Sequence, residues 1–211
     1  MPQFISAPLN THAYFGQHYS RRSLRPGKHV FEAGICLGLT LSWLKKVQVG
    51  CHWANLPTCT EATLVQHIAA YGYSTRICAS NDWSEAQEIA ALAEEARTVS
   101  PGMWVQDPQL KRLFQLQGFQ ARYLGEQNAF RILFQLDGLR AGGTQTFLLT
   151  AAAHAIGLAI RDGKIAVFDA NKGLTLFTVE EALDNALLMQ HLQHHLEGSA
   201  FPFFGVMALD F

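Results

Sequence analysis

The sequence predicts an α+β domain, helical through its first two thirds and an antiparallel sheet thereafter. Two observations carry this. Apolar residues follow helical spacing, or fill a helix on all sides, as far as about residue 117. From residue 144 they form short runs divided by turn residues, among them Asp162-Gly163, the dipeptide of a two-residue hairpin. Such an order of elements predicts two layers, a helical half packed on a sheet half, with a cleft between them.

A chain of 211 residues suffices for one sizeable domain and is short for two. Apolar residues are 49% and charged residues 16%, a globular balance with ample core. The net charge of −1 and a pI near 6.7 give no basis for nucleic-acid binding, and Arg21, Arg22, Arg25 and Lys28 make only a local basic patch. No apolar run has the length of a membrane span, and the N-terminus lacks a conventional secretory signal. Cys36, Cys51, Cys59 and Cys78 are too sparse for a disulfide scaffold and read as reduced thiols.

Residues 1–28 read as a flexible arm, broken by Pro2, Pro8, Gly16 and Pro26-Gly27, with residues 29–211 as the folded domain. From Cys36 to Val49, Leu37, Leu39, Leu41, Trp43, Leu44 and Val47 predict a central, fully covered helix that Gly50 ends. Residues 60–70 predict a second helix, and Asn81-Asp82 caps a third that Pro101-Gly102 breaks. Pro108 opens a fourth, over 107–117. Residues 144–150, 153–160, 164–169 and 174–177 read as strands. Thr178 and Glu181 form a capping box for the next helix, and residues 203–209 close the chain as a strand.

Three residues form the candidate site. Cys36 opens a helix, where unpaired N–H groups and the dipole favour the nucleophilic thiolate. His154 lies in one strand of the predicted hairpin and Asp169 ends the other, which places both at one end of the sheet. A thiol, an imidazole and a carboxylate that sets the imidazole tautomer make a nucleophilic triad.

The Gly34-Ile-Cys36 helix start, His154-Ala-Ile-Gly-Leu and Phe168-Asp-Ala-Asn-Lys-Gly together resemble the YopT/AvrPphB-type cysteine peptidases. The likeness covers about 31–50 and 145–211. It implies a papain-like fold, with Cys36 as nucleophile, His154 as base and Asp169 as its orienting group, and no metal or organic cofactor. It further implies a bacterial virulence effector, secreted without a conventional signal peptide, that cleaves a host protein in the host cytosol. The arm 1–28 is then a secretion signal, a pro-segment or a tail for a secretion chaperone. Papain-like enzymes carry an Asn or Gln five or six residues before the cysteine to stabilise the oxyanion. Phe31 and Val30 stand there instead, and His29, ahead of Gln17, is the candidate donor beside the Cys36 backbone N–H.

The same triad fits deamidation, transglutamination or acyl transfer, which share a thioester at cysteine. A catalytically idle interaction module is the non-enzymatic alternative. Cys51, His52, Cys59 and His67 lack the Cys-x-x-Cys pair usual in structural zinc sites. His191, His194 and His195, at i, i+3 and i+4, read as a polar helix face, Gly142-Gly143 as a turn and Asp210 as a surface residue.

Overall fold

The computed structural model describes residues 3–4, 36–57, 111, 114–115, 117–138, 143–151, 154–170, 172–178, 182–197 and 201–211. Of these, 3–4, Cys36, 134–138 and 182–184 are described by their backbone. The elements in chain order are β1 (Gln3–Phe4), α1 (Cys36–Gln48), β2 (Gln120–Gln127), α2 (Ala129–Gly138), β3 (Gln145–Ala151) and β4 (His154–Arg161). They continue as β5 (Lys164–Asp169), β6 (Gly173–Thr178), α3 (Ala182–Leu196) and β7 (Phe204–Asp210). The strands form one antiparallel sheet in the order β1-β6-β5-β4-β3-β7-β2.

The α+β class and the antiparallel sheet stand as the sequence predicts. The layering differs: both faces of the sheet are covered, giving three layers rather than two. On one face α1 packs with Ala155, Ala159, Ala166, Phe168 and Met207. On the other, Ile132 of α2 and Leu188 and Leu192 of α3 pack with Ile156, Leu158, Ile165, Val167 and Val206. Strands covered on both sides have no solvent face, which is why β3 to β5 read as continuous apolar runs rather than alternating ones.

The chain between residues 51 and 140 holds the other difference. A strand (β2) and a helix (α2) follow residue 119, where the sequence suggests neither. β2 is an edge strand, largely exposed, interrupted by a bulge at Gly125 with φ of +99°, so its apolar signal is thin. Asn128 caps α2, its Oδ1 accepting from the Arg131 N–H at 2.9 Å. The predicted helices at 60–70 and after Asn81 lie outside the described residues, as does the capping box at Thr178 and Glu181 for its second member. Residues 3–4 of the predicted arm pair with β6, Gln3 opposite Leu176 and Phe4 opposite Thr175.

α1 is buried along its length because Leu37, Leu39, Leu41, Trp43, Leu44 and Val47 leave little polar face. It ends as the sequence predicts. Gly50 has φ of +86°, its N–H donates to the Val47 carbonyl and the Cys51 N–H donates to the Lys46 carbonyl, a Schellman closure. Polar contacts fasten the helix near each end. Thr40 Oγ1 donates to the Ala155 carbonyl at 3.1 Å, and Gln48 Nε2 donates to Thr146 Oγ1 and the Leu209 carbonyl.

Between those points the helix sits close to β4. A Cβ at Gly157 would lie 2.8 Å from Trp43 Cε3, so the absence of a side chain there permits the approach. Trp43 stacks on Phe168 at 5.3 Å between centroids, and its Nε1–H donates to the Trp53 carbonyl. Phe168 immediately precedes Asp169, so this stack ties α1 to the strand that carries the carboxylate.

The hairpin between β4 and β5 turns at Asp162-Gly163, with φ of +53° and +68°, the two positive values a type I′ turn requires. Its register pairs Arg161 with Lys164 and Ile156 with Asp169. His154, two residues beyond Ile156, therefore shares a strand face with the residue opposite Asp169.

Candidate active site

The site lies at the end of the sheet where β4 begins and β5 ends. His154 Nε2 and Asp169 Oδ1 are 2.9 Å apart. Asp169 is buried, with 2% of its side chain exposed, whereas 23% of His154 is exposed. A carboxylate only accepts, so Nε2 carries the proton of this bond. Nδ1 is then the nitrogen that would exchange a proton with a nucleophile.

Cys36 opens α1 on the same region of the fold. Thr40 lies one turn after it on the helix and is bonded to Ala155, the residue after His154. This bond places the first turn of α1 against the first residues of β4. His29, Gln17, Phe31 and Val30, the positions bearing on the oxyanion, lie outside the described residues.

His195, which the sequence assigned to a polar helix face, joins His154 and Asp169. His195 Nδ1 lies 3.1 Å from Asp169 Oδ2, and 3% of the His195 side chain is exposed. Helix spacing accounts for its inward position. His195 falls at i+7 from Leu188 and i+3 from Leu192, the two α3 residues packed on the sheet, so it shares their inward face. That spacing was the signal available in the sequence. His194 points elsewhere: it is exposed and bonded to Glu197. His191 packs its ring edge-on to His195 at 5.0 Å and lies 5.7 Å from Phe177.

Burial disfavours the charged form of His195 and of His191. It pushes the His195 imidazole below the ordinary histidine value, against the pull of Asp169. It takes His191 down to about 4, helped by His195 and Lys172. Burial also lowers Lys172, opposed by Asp169 and Glu197. His191 is therefore neutral at pH 7, with a folded-state value below its unfolded value of 6.5. The unfolded chain binds the extra proton first as the solution is acidified, so the stabilisation is full above 6.5 and falls away toward about 4. Thermal unfolding should show the midpoint dropping across that window. His191→Leu should flatten the drop; an unchanged drop would contradict the assignment.

No protein-family model matches this chain, and no curated protein sequence matches it. Several solved structures are similar, two of which follow. The Pseudomonas avirulence protein AvrPphB matches with a TM-score of 0.51 and 13% identity, over 87% of this chain and 95% of its own. It is a namesake of the family that the Cys36, His154 and Asp169 motifs resemble. The fold is thus papain-like. The ubiquitin-specific protease encoded by murine cytomegalovirus tegument protein M48, solved with a ubiquitin-based suicide substrate, matches with a TM-score of 0.42 and 13% identity, over 99% of this chain and 84% of its own. No described helix is long and apolar enough to cross a membrane.

Proposed function

We propose that this chain is a cysteine-type endopeptidase that cleaves a protein substrate. Cys36 is the nucleophile, His154 the general base and acid, and Asp169 the group that orients His154. The observation carrying the reading is the 2.9 Å His154–Asp169 bond at the sheet end where the Cys36 helix begins.

The chemistry follows from that order. His154 takes the thiol proton at Nδ1, and the sulfur attacks the substrate carbonyl carbon. Asp169 stabilises the imidazolium and keeps its plane aligned. The oxyanion meets the Cys36 backbone N–H, with His29 as the proposed second donor. His154 passes its proton to the amine as the C–N bond breaks, leaving a thioester on Cys36. Water then attacks the thioester, giving a proton to His154, and the acid product leaves as the thiol is restored.

The wider reading is a secreted bacterial virulence effector acting on a host protein in the host cytosol, with residues 1–28 serving export or a chaperone. The motif resemblance supports it. Valine and phenylalanine at 30 and 31, where an amide is usual, favour thioester chemistry with another outcome as the second reading. One experiment addresses both. Host-cell proteins treated with the intact chain or with Cys36→Ala are compared by mass spectrometry. New termini dependent on Cys36 support proteolysis. A one-dalton gain or a cross-link supports the second reading, and no Cys36-dependent change opposes both.

A further inference from the structure

We propose that His195 is a positioning residue for the site: its Nδ1–H holds Asp169 Oδ2, leaving Oδ1 to serve His154. This rests on the reading of His154 and Asp169 as catalytic partners.

The terminal torsion of an aspartate is soft and two-fold, so each oxygen that is held reduces the swing of the carboxylate. Asp169 is also the last residue of β5, where the ladder that stiffens the strand ends. Here each oxygen has its own imidazole: Oδ1 at 2.9 Å from His154 Nε2, Oδ2 at 3.1 Å from His195 Nδ1. The two bonds fix the carboxylate plane, and with it the direction from which Oδ1 meets His154.

Exposure separates the two histidines. His154 is 23% exposed at its side chain and His195 3%, so only His154 has access to a substrate. His195 Nε2 is buried and has no hydrogen-bond partner among the described residues. A buried polar atom without a partner is unfavourable, and a leucine there would avoid it. The imidazole is accounted for by what its other nitrogen does. α3 supplies the anchorage, since Leu188 and Leu192 on the same helix face are fully buried against the sheet.

The experiment uses the full chain. Cys36 alkylation by iodoacetamide at neutral pH is followed on the Cys36 peptide for wild type, His195→Leu, His195→Asn and His154→Ala. Leucine fills the space without a donor, whereas the asparagine amide restores an N–H near the Nδ1 position. The expected result is a rate roughly 10-fold lower at neutral pH for His195→Leu, recovery in His195→Asn, and a pH profile displaced toward the free-thiol value only in the leucine variant, by loss of imidazolium support for the thiolate. Wild-type behaviour in both His195 variants, with His154→Ala still impaired, would overturn the inference and leave the peptidase reading standing. Indifference to His154→Ala would remove that reading and the inference with it. Should His195→Leu not fold, nitrogen NMR of wild type decides: His195 protonated on Nδ1 is expected at neutral pH, and the Nε2–H tautomer overturns the inference.

Discussion

Asp169→Asn is expected to lower turnover by roughly 10,000-fold while leaving the fold intact, the scale seen when a triad carboxylate becomes an amide. The reason lies in the two bonds. The carboxylate accepts from His154 at one oxygen and from His195 at the other. An amide has one accepting oxygen and one donating nitrogen. If the nitrogen faces His154, that imidazole must place its proton on Nδ1 and can no longer take one from a thiol. If it faces His195, the His195 proton moves to Nε2, which is buried without a partner among the described residues. Steady-state kinetics on any substrate identified by its new termini checks this, with circular dichroism to verify folding. A loss below about 10-fold would mean that Asp169 does not orient the base.

The second large effect is on stability. Trp43→Ala is expected to cost about 3–5 kcal/mol, the range for removing a buried large aromatic side chain. Trp43 is fully buried, stacks on Phe168 and donates to the Trp53 carbonyl. Its removal leaves a cavity between α1 and β4 and strands that carbonyl. Against a typical domain stability of about 5–15 kcal/mol, this is a large fraction. Denaturant unfolding should show the midpoint falling with the slope preserved. Activity should fall as well, because the helix that begins at Cys36 loses its seat, and misplacement by ~1 Å can cost on the order of 100-fold. A stability loss under about 1 kcal/mol would show that the helix is held chiefly by Thr40, Gln48 and the leucines.

Much of this fold was legible because its strongest local signals agree with its tertiary structure. The leucine-rich run after Cys36 could only be a covered helix, and Gly50 could only end it. Asp162-Gly163 set the hairpin, and the hairpin set His154 and Asp169 at one sheet end. The parts that were not legible lack a local signature. β2 lies at the sheet edge with polar residues on an exposed surface, so neither periodicity is marked. The third layer showed only as missing alternation in β3 to β5, which does not say which helices cover the second face. His195 meets Asp169 only through packing of α3 on the sheet, and three histidines at i, i+3 and i+4 resemble a solvated face until Leu188 and Leu192 are counted with them.

In the proposed function His154 activates the Cys36 thiol. Its most direct test is the pH dependence of alkylation at the Cys36 peptide in wild type and His154→Ala. A free cysteine ionises near 8.5, and pairing with an imidazolium at a helix N-terminus lowers that value. The expected result is a wild-type profile that rises well below the free-thiol value and reverts toward it in His154→Ala. Superimposable profiles, both rising near the free-thiol value, would contradict activation of Cys36 by His154.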